Sequence, residues 1–194
     1  MANLDELANA GELTIENGSI LVRFDKATGG VAALVDKKTG LDFVPPGQAM
    51  GVVEYLVERP RDMSAWTIAD PETRLFPVPV SALRVTLANP YVASVESRMK
   101  IAESDVTVTY ALRSGEPYLE VAVHALWLQR GASDIGTPKL RMLFPTALEK
   151  TSGIYEIPFG TITRDLTKGE EVPSQRFADV SGRTEGNEIA GVLV

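Results

Sequence analysis

The chain of 194 residues contains no cysteine and a single histidine, His124. The lack of cysteine excludes disulfides, thiolate nucleophiles and thiolate metal ligands. A catalytic zinc site usually takes three protein ligands from histidine, cysteine and carboxylate side chains, and a Ser–His–Asp triad would have to use His124. Because His124 lies within an alternating stretch, we interpret it as an ordinary strand residue. We predict no metal site in this chain, although its carboxylates leave a hard-cation site open.

Other absences narrow the class of protein further. Neither a nucleophile elbow G-x-S-x-G nor a glycine-rich phosphate loop occurs. No apolar run approaches the roughly 20 residues of a membrane span. The net charge of -7 disfavours binding to nucleic-acid phosphates or to an anionic membrane. From this charge we expect a protein that binds neither nucleic acid nor membrane. Since the first ten residues do not resemble a signal peptide, we also expect it to be cytoplasmic.

Several stretches alternate apolar and polar side chains with a period of two and are rich in β-branched and aromatic residues. This pattern is typical of half-buried β-strands. The turn sequences ENGS, ATGG, KKTG and SGEP separate the stretches, and SGEP between two alternating runs predicts a hairpin. The spacing predicts an all-β fold, an antiparallel β-sandwich, rather than βαβ units. The residues predicted to share faces are Ile20, Val22 and Phe24; Val106, Val108, Tyr110 and Leu112; and Leu119, Val121, Val123, Ala125 and Trp127.

Three segments fall outside this alternation. Residues 1–10 are interpreted as a leader or linker, which leaves residues 11–194 for the β-sandwich domain. Residues 59–74, RPRDMSAWTIADPETR, show no clean period and are interpreted as a long loop over the sheet. The stretch IAGVLV, residues 189–194, is apolar almost throughout, which predicts a strand buried on both faces. We interpret this ending as a domain that is truncated at its C-terminus.

Carboxylates and one aromatic side chain are the remaining signs of chemistry. Glycosidases need two carboxyl groups roughly 5–10 Å apart, a distance that spacing along the chain cannot give. With 26 acidic residues in the chain, most must be solvated charges. Trp66, on the predicted loop, either stacks on a sugar ring or, as we favour, pins the loop to the core. The carboxylates considered are Asp36, Glu54, Glu156, Glu170 and Glu171.

Four stretches carry a resemblance to a known family, and they occur in the family's order. They are ENGSILVRFDKATGGVAALVDKKTG, then VERPRDMSAWTI, then EPYLEVAVHALWLQR with PKLRMLFP, and finally YEIPFGTITRD with EVPSQRFADVSG. Together they resemble the C-terminal β-domain of the α-mannosidases of glycoside hydrolase family 38, from about residue 11 onward. The matching residues of the last stretch are Glu156, Pro158, Gly160, Arg164, Pro173, Gln175, Arg176 and Asp179.

The resemblance implies a large antiparallel sandwich, a supersandwich related in fold to galactose mutarotase. It also implies a parent enzyme that hydrolyses α-mannosidic bonds by a zinc-dependent retaining mechanism in a separate barrel domain. On this interpretation the chain itself is a non-catalytic part without a cofactor of its own. Its partners would be the catalytic barrel and a mannose-containing oligosaccharide. A face that normally meets the barrel would favour a homodimer of the isolated chain if it were exposed.

Within YEIPFG the resemblance implies a strand and a corner near the barrel. Pro158 has no N–H and is expected to end the ladder of strand hydrogen bonds. Gly160 is expected to allow the bend of the chain. Tyr155, Ile157 and Phe159 alternate, so we expect all three to be buried.

Glu156 and Arg164 have two interpretations. The favoured one is an ion pair that holds the loop, and the sharper one places both residues, with Trp66, at a carbohydrate-binding rim of the catalytic cleft. Two alternatives to the scaffold function stay open. One is a stand-alone carbohydrate-binding module of the mutarotase-like fold, and the other is a sugar epimerase, which we favour less because its acid–base chemistry would have to use His124.

Overall fold

A computed structural model describes residues 12–59, 71–164 and 172–194. Within these ranges every regular element is a β-strand, which confirms the predicted all-β class. No helix long and apolar enough to cross a membrane occurs in them. The fourteen strands found there are β1 Leu13–Glu16, β2 Ile20–Phe24, β3 Val31–Asp36, β4 Val52–Glu58, β5 Pro71–Leu75, β6 Arg84–Ala88, β7 Val92–Ile101, β8 Ser104–Arg113, β9 Glu120–Leu126, β10 Thr137–Leu143, β11 Glu149–Ile157, β12 Gly160–Arg164, β13 Ala178–Arg183 and β14 Ile189–Leu193.

The strands form four antiparallel sheets in two compact units. The described residues up to Pro145 form the first unit, and those from Thr146 to Val194 form the second. The first unit contains three sheets with strand orders β1-β2-β3, β10-β4-β5 and β6-β7-β8-β9, and the second contains one sheet with the order β12-β11-β13-β14. Every pairing in these sheets is antiparallel, as expected for a β-sandwich.

The core of the first unit forms where the alternating faces of β2 and β8 contribute to one apolar cluster. The rings of Phe24 and Tyr110 lie 5.2 Å apart between their centroids. The Tyr110 hydroxyl donates a hydrogen bond to the Gly51 carbonyl at 3.1 Å, and burial raises the pKa of Tyr110. Burial of a large apolar side chain contributes roughly 1.5–3 kcal/mol. The buried hydrophobic residues of the two strands are those predicted: Ile20, Val22 and Phe24 on β2, and Val106, Val108, Tyr110 and Leu112 on β8.

The predicted hairpin at SGEP joins β8 to β9, and the two strands pair antiparallel. Val121, Val123 and Ala125 lie opposite the buried face of β8, so the predicted shared face is confirmed. Trp127 packs against the core cluster. Val123 is nevertheless exposed, because β9 pairs with β8 alone and lies at the end of its sheet.

Two turns of the first unit use the same sequence, Asp-x-x-Thr-Gly. In the first turn the Ala27 N–H donates to Asp25 Oδ1 at 2.9 Å and the Thr28 hydroxyl donates to Asp25 Oδ2 at 2.7 Å. The second turn repeats these bonds from Lys38 and Thr39 to Asp36, at 2.9 and 2.8 Å. Each turn ends in a glycine with positive φ, Gly29 at 73° and Gly40 at 75°. These bonds explain why ATGG and KKTG were correctly predicted as turns.

The two turn glycines differ in their surroundings. A Cβ atom at Gly40 would meet nothing within 4 Å, whereas one at Gly29 would lie 2.2 Å from Ser97 Oγ and 3.0 Å from Pro79 Cγ. Ser97 is itself buried on β7. Rotation of its hydroxyl would relieve the closest contact but would leave the Ser97 Cβ 3.2 Å and the Pro79 Cγ 3.0 Å from the added atom, so the position would stay crowded. Gly29 is therefore required both by the turn and by the packing of the turn against β7.

Two expectations about segments are corrected by the structure. IAGVLV forms a strand, β14, but it is not buried on both faces: Ile189 is 78% exposed and Leu193 is 69% exposed. The reason is that β14 pairs only with β13, at the edge of its sheet. The predicted loop at residues 59–74 ends in strand β5, which pairs with β4. Most of that loop and the predicted leader, residues 1–10, lie outside the described residues.

We predict that Gly29→Ala destabilises the chain more than Gly40→Ala does. Alanine at a left-handed position costs about 1–2 kcal/mol, and this cost applies to both variants. Crowding in a packed region adds about 1–3 kcal/mol, which applies only at Gly29. Urea unfolding followed by circular dichroism measures both losses. Equal losses in the two variants would show that the Gly29 turn is not packed against β7.

Candidate functional site

Two buried carboxylates lie on one face of β4, and cations of the neighbouring strands pair with them. Arg141, directly opposite Glu54 on β10, donates from Nε to Glu54 Oε2 at 2.8 Å. Arg74 of β5 places Nη1 3.5 Å from Glu54 Oε1. Lys139 of β10 forms an ion pair with Glu58. We term these five residues the β4 ion-pair layer.

The ion-pair layer exists because side chains along a strand alternate between two faces. On the opposite face of β4, Val53 belongs to the apolar core and the Tyr55 ring packs 6.1 Å from that of Trp127. Of the five residues of the ion-pair layer, only Glu54 is among the carboxylates predicted from the sequence; Glu58 and the three cations were not predicted. Glu58 and Lys139 are 81 residues apart in the chain, and only the register of β4 with β10 brings them together. The available signal was the spacing E-x-x-x-E on one strand and K-x-R on another.

The ion-pair layer does not have the form of a glycosidase carboxyl pair. Four strand residues span about 13 Å, whereas glycosidase carboxyl groups lie about 5–9.5 Å apart. Glu54 and Glu58 are each held by their own cations, which offset the cost of burying a charge. Within the described ranges, no group of three or more histidine, aspartate or glutamate side chains is placed to hold a metal ion. His124 is an exposed residue of β9, and its predicted place on a strand is confirmed.

The other carboxylates considered from the sequence do not join this layer. Asp36 belongs to an Asp-x-x-Thr-Gly turn, where hydrogen bonds from the Lys38 N–H and the Thr39 hydroxyl hold the Asp36 pKa below its ordinary value. Glu170 and Glu171 lie outside the described residues, as does Trp66.

In the second unit Glu156 is buried on β11, and its partner is Arg176. Arg176 donates from its backbone N–H to Glu156 Oε2 at 2.8 Å and from Nε to Oε1 at 2.9 Å. The expected ion pair of Glu156 with Arg164 is therefore wrong. Arg164 lies opposite Gly153 and so shares a face with Tyr155, whereas Glu156 points to the other face of the sheet.

The segment of residues 173–177 is held by both of these residues. The Gln175 N–H donates to the Glu156 carbonyl at 3.1 Å, and the Glu156 N–H donates to the Phe177 carbonyl at 3.2 Å. Arg164 Nη1 donates to the Pro173 carbonyl at 3.2 Å. Although Glu156 and Arg164 do not touch, they therefore fix the same segment, which leads directly into β13.

Two guanidinium groups are oriented by these contacts. The Arg164 guanidinium lies 5.3 Å from the centroid of the Tyr155 ring, as in a cation–π contact. The Arg176 side chain is 86% exposed although it is bound to a buried carboxylate. A planar guanidinium with fixed orientation suits recognition of hydroxyl or anionic groups. The arrangement can thus hold the guanidinium groups of Arg164 and Arg176 in a fixed orientation beside a ligand.

The ion pair of Glu156 and Arg176 changes the pKa of both groups. Hydrogen bonds from Arg176 hold the Glu156 pKa below its ordinary value of 4.5, and Glu156 raises the pKa of Arg176. A carboxylate whose pKa is lowered by folding stabilises the fold above its unfolded pKa. This stabilisation is lost as the pH falls below about 4.5 and the carboxylate takes up a proton.

The stretch YEIPFG differs from the prediction in burial and at its bend. Tyr155 and Ile157, expected to be buried, are half-buried, and Glu156 between them is the buried residue. Pro158 follows the last residue of β11, Ile157, so its expected role at the strand end is confirmed. Phe159, expected to be buried, is fully exposed, at 110% of the reference area. Gly160 was expected to allow the bend, but the left-handed residue of the turn is Phe159, with φ of 66°. The reason is that the ladder resumes at Gly160 opposite Ile157, which leaves Phe159 at the tip of a two-residue turn.

We predict that Glu156→Gln destabilises the chain and that the loss depends on pH. The neutral amide cannot replace the charge-assisted bonds to Arg176. The difference from the wild type should be largest near neutral pH. It should begin to shrink below about pH 4.5, where the carboxylate of the unfolded chain takes up a proton, and should be lost below the lowered pKa of the folded chain. Urea unfolding at a series of pH values, followed by circular dichroism, measures this difference.

Glu149→Gln is the matched control for this experiment, because Glu149 is an exposed residue at the start of the same strand. We expect it to unfold like the wild type at each pH. A loss in Glu156→Gln that stays constant into the acidic range would contradict the pKa assignment of Glu156.

Comparison with known proteins gives one family match. The family described as "Glycosyl hydrolases family 38 C-terminal domain" matches residues 15–190. A search of curated proteins finds no match. The match covers nearly the whole chain of 194 residues. The matched range thus includes the strands of the ion-pair layer and the pair of Glu156 with Arg176. The chain therefore belongs to the family of C-terminal domains of glycosyl hydrolases of family 38.

Proposed function

We propose that the chain is the non-catalytic β-sandwich domain of an α-mannosidase-like glycoside hydrolase. In this proposal the parent enzyme hydrolyses α-mannosidic bonds of mannose-containing oligosaccharides. It does so by a zinc-dependent retaining mechanism in a separate barrel domain. The observation that carries the proposal is the family match over residues 15–190, since a C-terminal domain of a hydrolase accompanies a catalytic domain in one parent chain.

The carboxylates of the described residues support a structural role. Glu54, Glu58 and Glu156 are the buried acidic residues, and each is bound to a cation. General acid–base catalysis needs a carboxyl group within reach of a substrate proton. Buried carboxylates that are neutralised by arginine or lysine instead hold strands and segments in place, as Glu156 holds residues 173–177.

The catalytic domain of the parent is the proposed partner, and the protein is proposed to be cytoplasmic. We place Arg164 and Glu156 at the rim of the neighbouring cleft, where Arg164 would face the substrate and Glu156 would act through the segment of residues 173–177. The support for this placement is that Tyr155 and the Pro173 carbonyl give the Arg164 guanidinium a fixed orientation. Trp66 remains a predicted rim residue from the sequence.

The proposal predicts where mannosidase activity resides. The isolated chain, assayed with an aryl α-mannoside and zinc, should release aryl alcohol at the rate of a protein-free blank. The full-length parent should release it, and removal of zinc with a chelator should abolish the activity. Turnover by the isolated chain would overturn the scaffold function. A full-length parent that is inactive on every α-mannoside would overturn the mannosidase assignment.

Calorimetric titration with mannose-containing oligosaccharides tests the alternative of a stand-alone carbohydrate-binding module. The scaffold proposal expects no heat of binding for the isolated chain. Binding that is lost in Trp66→Ala would instead favour the binding module.

A further inference from the structure

The hairpin of β11 and β12 has a phenylalanine where its turn geometry favours glycine. Pro158 and Phe159 are the two central residues between Ile157 and Gly160, and Phe159 has φ of 66°. Proline followed by a residue with positive φ defines a type II turn, in which glycine or asparagine is favoured at the second position. A bulky side chain in that conformation is a true outlier.

Gly160, the neighbouring glycine, has no comparable structural need. It is absent from the positions with positive φ, and a Cβ atom at Gly160 would meet nothing within 4 Å. The order Pro-Phe-Gly therefore places the large side chain at the strained position and the glycine at an unstrained one. Exchange of the two residues would give a turn of lower energy.

The isolated chain gains nothing from packing of this side chain. Phe159 is fully exposed at 110% of its reference area. The other described residues with positive φ that are not glycine are Ala102, Lys150 and Asn187, and asparagine adopts this conformation with less strain. Phe159 is thus the one large apolar side chain among the described residues with positive φ. Strain of this kind persists where function or a partner requires it.

We propose that Phe159 is an anchor that inserts into an apolar pocket on the catalytic domain of the parent hydrolase. This inference rests on the proposed function, which supplies the catalytic domain as the partner. A buried phenylalanine removes about 150–250 Å² from water. That area is far below the roughly 1,200 Å² of a stable interface between separate proteins. Domains of one chain meet at high effective concentration, and their interfaces bury about 600–1,500 Å², so Phe159 would be one anchor within such an interface.

The surroundings of Phe159 fit a protein pocket better than a sugar. A carbohydrate site combines an aromatic face with polar groups that fix the orientation of the ligand. At the turn, the two residues that flank Phe159, Pro158 and Gly160, have no polar side chain. Arg164 lies at the far end of β12, five residues beyond Phe159 and about 16 Å along the strand. The closest exposed side chain of the same hairpin that is large and apolar is Ile162.

The proposal predicts that Phe159→Gly has opposite effects in two proteins. In the isolated chain it removes the strain and should raise the melting temperature by about 2–4 °C. In the full-length hydrolase it removes the anchor, so the half-life of the folded protein at elevated temperature, followed by circular dichroism, should shorten severalfold. Gly160→Ala is the matched control and should change neither quantity, because a Cβ atom fits there. Phe159→Leu keeps both the strain and an apolar side chain, and should resemble the wild type in both proteins.

Several outcomes would overturn the anchor. One is a Phe159→Gly variant that changes both proteins in the same direction. Another is a dimer of the isolated chain in sedimentation that Phe159→Gly dissociates, because the partner would then be a second copy. A third is loss of oligosaccharide binding in Phe159→Gly without a change in the half-life. The assay with aryl α-mannoside distinguishes failure of the proposed function from failure of the anchor. A full-length parent without mannosidase activity can still show the opposite stability effects of Phe159→Gly.

Discussion

The alternation of side chains along paired strands decides which residues of this protein can meet. On β2 and β8 it sends every second side chain into the same apolar cluster. On β4 it sends Glu54 and Glu58 to one face and Val53 to the core on the other. On β11 it separates Glu156 from Arg164, although both lie on the same hairpin. Because the period is two, a shift of register by one residue would undo all of these contacts at once.

The charged side chains of the described residues act mainly in support of this pairing. Arg141 and Lys139 come from β10 and bind carboxylates of β4, so the ion pairs connect adjacent strands. Arg176 instead connects β11 to the segment that precedes β13. Buried ion pairs of this kind add little net stability, but removal of one partner leaves an uncompensated charge and is costly. They therefore favour one register of the strands over the alternatives.

Two kinds of turn in the described residues differ in which residue takes the position with positive φ. The Asp-x-x-Thr-Gly turns place glycine at the position with positive φ, and the aspartate bonds the following residues. The Pro-Phe-Gly turn places phenylalanine there. Local energetics explains the first kind completely, whereas the second has an energetic cost that the isolated chain does not recover. The proposed contact of Phe159 with a catalytic domain would give that cost a physical reason.

The sequence by itself determined the all-β class, the alternating core of β2 and β8, the hairpin at SGEP and the two glycine turns. These features depend on residues that are close in the chain, so periodicity and turn chemistry reveal them. Only the tertiary structure decided the partners of Glu54, Glu58 and Glu156, the exposure of Ile189 and Leu193, and the position of Phe159 at a turn tip. Those features depend on which strands pair, on their register and on which strand lies at an edge. Periodicity along one strand carries no information about the strand beside it, and so the sequence pattern could not decide them.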